Sequence, residues 1–164
     1  HKTLGYCGFS CFSARDLIKR HKLEIRKDKV VSDITGNQSG LIIESIKESS
    51  KHRLYALDGH FTLLSKGGRV QPISREVFSE LKLDCLMLIL ASCEEIQSRI
   101  SSRDGIKWSK SLIRSFIRAE ECQAEAIAKN LQIPLLKIEN SDSYVWKKTK
   151  QFLQKALLDK FTCS

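Results

Sequence analysis

The chain has 164 residues, a length that predicts one domain able to bury about two-thirds of its unfolded surface in a single core. Its 28 lysines and arginines against 19 aspartates and glutamates give a formal net charge of +9, which favours anionic partners such as nucleotide phosphates or nucleic acid. The sequence has no run of about 20 apolar residues and no signal-like leader, so we expect a soluble, cytoplasmic protein without a membrane span. Its six cysteines form no C-x-x-C pair, which predicts reduced thiols rather than a disulfide framework or zinc site.

Hydrophobic periodicity and capping residues predict an α/β fold in which strands alternate with helices around a parallel sheet. The predicted elements are a strand over 9–12, helices over about 13–22 and 38–50, a strand over 53–57, a helix over 72–81, a strand over 83–91, helices over about 92–101 and 109–130, a strand over 134–138 and a helix over about 142–160. Ser13 and Asn37 are the expected N-caps of the first two helices. The nearly continuous apolar run over 83–91 is typical of a central parallel strand covered on both faces.

An acidic residue stands at the end of the predicted strand over 53–57, where Leu57, Asp58, Gly59 and His60 follow one another. Open α/β sheets bind ligands at the carboxyl ends of their strands, so Asp58 is a candidate binding residue. His60 would point into the same cleft. The alternatives are a turn-forming aspartate before glycine and a structural histidine.

Upstream, the segment from Ser13 to Arg20 reads Ser-Ala-Arg-Asp-Leu-Ile-Lys-Arg, which is typical of a capping serine followed by a basic-faced helix. This S-x-x-D-L-[LI]-[RK] helix and the strand ending in L-D-G resemble the nucleoside monophosphate kinases, the adenylate kinase group of P-loop phosphotransferases. The resemblance spans most of the chain through short motifs. It implies a three-layer αβα fold with a parallel sheet, ATP and Mg²⁺ as cofactors, and transfer of the γ-phosphoryl group to a nucleoside monophosphate or similar small acceptor.

The P-loop of that family reads G-x-x-x-x-G-K-[ST], a turn whose N–H groups cradle phosphates. This sequence starts at His1-Lys2-Thr3-Leu4, without the glycines or the strand that precedes them. Two interpretations stay open, a truncated or gapped loop and a chance Lys-Thr pair. In the first, the resemblance implies that Lys2 neutralises the β- and γ-phosphates and that Thr3 and Asp58 hold Mg²⁺.

On the acceptor side, the resemblance implies that Ser13, Asp16, Lys19, Arg20 and His60 bind the substrate. Adenylate kinases usually continue L-D-G with F-P-R, whereas this chain continues with His-Phe-Thr. The family variant that matches this strand end better is the archaeal type of adenylate kinase, which carries Asp-x-His.

Arg99 and Arg103 stand four residues apart on one predicted helix face. In adenylate kinases a pair of arginines at this spacing lies where the chain enters the lid, which implies that both bind ATP and act in catalysis above a short lid over about 103–109. The alternative is an ordinary basic helix end. The incomplete P-loop favours a second function, a catalytically idle nucleotide-binding module with a protein partner in a larger assembly. A nucleic-acid-binding protein ranks lowest, because the basic run over 19–29 lacks the interleaved aromatic residues of a stacking platform.

Overall fold

The computed structural model describes residues 8–20, 34–65, 68–105 and 107–157. Within these ranges the chain forms six helices and six strands, with one compact unit ending at Leu81 and a second beginning at Lys82. The fold is α/β and its short sheets are parallel or antiparallel pairs, which confirms the predicted fold class at this level. A single domain of 164 residues with a lid near 103–109 stays a prediction.

The first unit contains a parallel strand pair, β1 (Ser10–Ser13) with β2 (Tyr55–Asp58). Helix α1 (Ala14–Arg20) begins directly after β1 and packs against α2 (Ile34–Ser49), which precedes β2. A parallel pair needs a crossover of a dozen or more residues, and the helical segment between β1 and β2 provides it.

A β-hairpin and a short helix complete the first unit. Strand β3 (Thr62–Leu64) pairs antiparallel with β4 (Val70–Pro72), and α3 (Arg75–Glu80) follows. The rings of Phe61 and Phe78 stack with centroids 5.4 Å apart, so the hairpin and α3 share a buried aromatic contact.

The second unit is built on the parallel pair β5 (Leu86–Leu90) and β6 (Leu135–Glu139). Its helices are α4 (Cys93–Asp104), α5 (Lys110–Leu131) and α6 (Val145–Ala156). The side chains of Ser92 and Ser109 accept N–H hydrogen bonds at the starts of α4 and α5, as N-caps do. Gly105, with φ of 68°, takes the left-handed conformation that ends α4.

Two predicted helix starts are wrong. Asn37 lies inside α2, which begins at Ile34, and its side chain is only 6% exposed, so it is a buried helix residue and not a cap. Residue 72 is the last residue of β4, and the following helix begins at Arg75 behind Ser74. Proline suits both a first helical turn and the end of a strand, so the residue type alone did not decide between them.

The expectation that β5 is covered on both faces is wrong at Ile89, whose side chain is 61% exposed. Its neighbours Leu86 and Leu88 are buried, so β5 has one buried and one partly exposed face. The predicted continuation of the first helix beyond Arg20 and of the last helix beyond 157 lies outside the described residues.

Candidate functional site

The carboxyl ends of β1 and β2 form the candidate site of the first unit. In the parallel register Ser13 pairs with Asp58, so the last residues of the two strands lie side by side at one edge. Asp58 is exposed, as is His60 two residues further on. This edge is where ligands bind in open α/β sheets, and the structure therefore brings together the serine and the carboxylate that the sequence predicted.

Gly59 lets the strand end approach the start of α1. A Cβ atom built on Gly59 would lie 3.2 Å from the Cβ of Ala14, which is tighter than an ordinary contact. A side chain there would push the end of β2 away from α1. The close packing of the end of β2 against α1 thus explains why a glycine follows Asp58, and the sequence prediction did not include this reason.

Helix α1 carries the other predicted acceptor residues. Asp16 and Lys19 are exposed, and Lys19 Nζ lies 4.0 Å from Asp16 Oδ1. A salt bridge this long and exposed contributes little to stability, so both side chains can exchange it for another partner. Arg20 instead reaches α2, where its Nη1 donates to Glu48 Oε1 at 2.8 Å, and its guanidinium lies 5.8 Å from the centroid of the Phe12 ring.

The contact of Arg20 belongs to a group that we call the Glu48 cluster, formed by Ser10, Arg20, Glu48, Lys51 and His52. Lys51 Nζ donates to Glu48 Oε1 at 3.4 Å, and His52 Nε2 lies 3.6 Å from Glu48 Oε2. On the other side of its ring, His52 Nδ1 lies 2.9 Å from Ser10 Oγ. The sequence prediction missed this cluster, although Glu48, Lys51 and His52 show the helical spacing that brings side chains together.

The basic partners of Glu48 lower the pKa of its carboxyl group by more than burial raises it. Burial alone would raise the pKa of its carboxyl group, whereas the hydrogen bond and charge of Lys51 and the guanidinium of Arg20 lower it, and the net pKa lies below the ordinary value of 4.5. Glu48 therefore stays ionised under neutral and mildly acidic conditions.

In the second unit, both predicted catalytic arginines lie on α4 and are bound to carboxylates. Arg99 forms an ion pair with Glu95 one turn earlier. Arg103 donates from Nε and Nη2 to the two carboxylate oxygens of Asp104, each at 2.8 Å, and these hydrogen bonds raise the pKa of the guanidinium. Both arginine side chains are more than half exposed.

The turn that follows α4 is anchored to that helix. Gln97 Nε2 donates to the backbone oxygen of Trp108 at 2.9 Å, and the Trp108 ring packs against Phe116 with centroids 5.8 Å apart. These contacts fix the end of the segment that the sequence predicted as a short lid.

A cavity of about 360 Å³ opens at the carboxyl ends of β5 and β6, and the sequence prediction did not identify it. Its lining includes the carboxylates of Glu95, Glu121 and Glu139. Asn140 Nδ2 donates to Glu95 at 2.9 Å, and Lys137 lies 3.8 Å from Glu121. Three carboxylates around one opening disfavour a phosphate group there.

The described residues suit Mg²⁺ binding only together with the phosphate groups of a bound ligand. Across the described ranges, no group of three or more histidine, cysteine, aspartate or glutamate side chains is arranged to hold a metal ion. Mg²⁺ usually binds through one or two carboxylates together with substrate phosphates and water, and Asp58 matches that requirement. Lys2 and Thr3 lie outside the described residues.

Comparison with models of known protein families and with curated proteins found no match to this chain. In the part of the chain that the structure describes, none of the helices has the length and apolar character needed to cross a membrane. Among the described residues, the cysteines that form no disulfide are Cys11, Cys85, Cys93 and Cys122.

Proposed function

We propose that the chain is an ATP-dependent phosphotransferase of the adenylate kinase type, acting on a nucleoside monophosphate or a similar small acceptor. The observation that carries this proposal is the parallel register of β1 and β2, which sets Ser13 beside Asp58. Helix α1 starts at the same edge and carries Asp16 and Lys19 on its exposed surface. Such an edge, with a carboxylate at the end of β2 and a lysine in the last turn of α1, suits a phosphate ligand with its metal ion.

In this proposal Asp58, with Thr3, would hold Mg²⁺, which when bound neutralises charge on the phosphates of ATP. Lys2 would contact the β- and γ-phosphates. Ser13, Asp16 and Lys19 would bind the acceptor, with His60 at the border of the site and Arg20 held beside it by Glu48. The acceptor phosphate is already nucleophilic, so positioning and positive charge supply the catalysis.

The finer fold is part of the same proposal. In each unit a parallel strand pair is joined through helices, β1 to β2 in the first unit and β5 to β6 in the second. Two such βαβ connections support a kinase-like sheet flanked by helices.

One observation favours the second candidate function, an idle nucleotide-binding module in a larger assembly. Arg99 and Arg103 are each bound to a carboxylate of their own helix. To act on a transferring phosphoryl group, Arg103 would have to exchange the oxygens of Asp104 for those of the phosphate. In an idle module, this ion pair would persist when nucleotide binds.

The two candidates differ in the effect of Arg103→Ala. ADP formation is measured with the full chain, ATP, Mg²⁺ and a panel of nucleoside monophosphates. For the proposed kinase, the variant should lower kcat by about a hundredfold or more with a small change in the KM for ATP, because the contact is made mainly in the transition state. Arg103→Lys should restore only part of the rate, since an ammonium cannot make the bidentate contact.

Arg69→Ala is the matched control, because it removes an exposed arginine from the β3–β4 turn and should leave kcat unchanged. An unaltered kcat in Arg103→Ala would contradict the catalytic role of that residue. Binding of ATP by the wild type without ADP formation for any acceptor would favour the idle module.

A further inference from the structure

The start of α6 exposes two aromatic side chains. Trp146 is 43% exposed and Tyr144, the residue before the helix, is 64% exposed. In the described ranges neither ring packs against another aromatic ring, unlike Trp108, which lies against Phe116. A large part of each residue is thus accessible from solution.

Two exposed lysines follow Trp146 on α6. Lys150 follows it by four residues and lies on the same flank of the helix, whereas Lys147 is the next residue and lies about 100° further around the helix. Neither lysine forms an ion pair within the part of the chain that the structure describes. Lys148 differs, because Asp142 binds its ammonium group on the other flank.

One carboxylate, that of Asp142, lies close to the beginning of α6 and is paired with Lys148. The first turn of α6 contains no acidic residue, and the backbone dipole makes this end of a helix positive. The carboxylate of Asp142 accepts from Lys148 and from the Tyr144 N–H, the latter at 2.8 Å, and both hydrogen bonds lower its pKa. The exposed surface of α6 therefore combines two exposed aromatic rings with the positive charges of Lys147 and Lys150.

The other face of α6 excludes a membrane as the partner. Thr149, Leu153 and Leu157 are buried, and α6 packs on β6. A helix that lies in a membrane interface needs a free apolar face along its length, and α6 has already buried its own. Isolated rings beside lysines match single-stranded nucleic acid instead, whose bases stack on aromatic side chains while its phosphates bind cations.

We propose that Tyr144, Trp146, Lys147 and Lys150, which we call the Trp146 surface, bind single-stranded nucleic acid without strong sequence preference. The bases stack on Trp146 and Tyr144, and the backbone phosphates contact Lys147 and Lys150. A nucleic-acid-binding function, which ranks lowest on sequence patterns alone, is supported by this surface. The aromatic residues that the basic run over 19–29 lacks are present at the start of α6.

The test uses the full chain and a fluorescently labelled 15-nucleotide oligothymidylate, with affinity measured by anisotropy at several salt concentrations. Trp146→Ala should weaken binding about tenfold or more, and Trp146→Phe should weaken it less, because a smaller ring still stacks. Lys150→Gln should weaken binding and lower the salt slope by about 0.7, the value for one phosphate contact on a single strand.

Lys155→Gln is the matched control, since it removes one exposed charge from the last turn of the same helix. It should leave both affinity and salt slope close to the wild type. Tryptophan fluorescence reports stacking directly, because the chain has only two tryptophans, Trp108 and Trp146. Unlabelled oligonucleotide should quench the emission of the wild type. It should quench Trp146→Phe only slightly, because only Trp108 remains in that variant.

Four results would overturn the proposal. The first is an equal loss of affinity in Lys150→Gln and Lys155→Gln, and the second is displacement of the labelled oligonucleotide by an equimolar amount of ATP·Mg²⁺. The third is that a polyglutamate of the same charge competes as well as unlabelled oligonucleotide does. The fourth is stronger binding of the protein to anionic phospholipid vesicles than to the oligonucleotide. Circular dichroism establishes that each variant is folded. If Trp146→Ala does not fold, the quenching in Trp146→Phe and the paired lysine variants decide the question.

Discussion

At the scale of single residues, Glu48 shows how one carboxylate on α2 joins three elements. It accepts from Arg20 at the end of α1, binds Lys51 after its own helix, and faces His52, whose ring contacts Ser10 in β1. Arg20, predicted as a substrate residue, is therefore also a structural residue beside the proposed acceptor site.

The lowered pKa of Glu48 predicts how stability depends on pH. A carboxyl group whose pKa is lower in the folded state stabilises the fold above its unfolded pKa, and this contribution is lost as pH falls through the folded pKa. The loss should therefore begin near the ordinary value of 4.5 and continue below it. Glu48→Gln should be less stable than the wild type at pH 7, with a difference that shrinks below pH 4.5.

Urea unfolding followed by circular dichroism at pH 7, 5, 4 and 3 measures that difference. Comparing the variant with the wild type separates the contribution of Glu48 to the pH dependence from the contributions of other carboxylates with lowered pKa values, such as Glu94 and Asp142. Glu80→Gln, at an exposed position in α3, is the control and should differ little from the wild type at any pH. A Glu48→Gln difference that stays constant with pH would contradict the assigned charge interactions.

At the scale of elements, Leu17 is the buried side chain of α1. Leu17 is 0% exposed, whereas its neighbours Arg15 and Asp16 face solvent. Leu17→Ala should destabilise the protein by about 2–5 kcal/mol, through lost burial and the cavity left behind. Arg15→Ala on the same helix should stay within about 0.5 kcal/mol. Chemical denaturation of both variants makes the comparison, and similar stabilities would show that α1 is not held by its buried face.

The elements also show what the sequence can predict. Helix α5 was placed almost to the residue, because Ser109 caps it and its apolar positions repeat over six turns. The β3–β4 hairpin was missed, because strands of three residues are too short to show alternation. Local patterns pointed to Ser13, as a serine before a basic-faced helix, and to Asp58, as a carboxylate at a strand end, whereas the contact of Arg20 with Glu48 joins residues 28 positions apart that share no local pattern.

At the scale of the whole molecule, the proposed phosphotransferase uses residues from distant parts of the chain. Lys2, Thr3 and Asp58 lie in the first 58 residues, and Arg103 lies 45 residues further along the sequence. A ligand that binds the folded chain and not the unfolded chain stabilises the fold by mass action.

The last prediction is that ATP·Mg²⁺ raises the melting temperature of the full chain. At a free concentration one hundred times its Kd, a ligand adds about 2.7 kcal/mol to the free energy of unfolding. That amount corresponds to a rise of about 5–10 °C for a protein of this size. ATP with EDTA should produce a smaller rise, and the difference between the two conditions measures the contribution of the metal ion.

Asp58→Asn should remove most of that difference while preserving the rise caused by ATP with EDTA, because the substitution keeps the shape of the side chain and removes its charge. Asp84→Asn, at an exposed position before β5, is the matched control and should behave like the wild type. A metal-dependent rise that persists in Asp58→Asn would place Mg²⁺ on other residues. If millimolar ATP·Mg²⁺ changes the melting temperature of the wild type by no more than inorganic phosphate does, the chain has no ATP site, and both the kinase and the idle nucleotide-binding module are wrong.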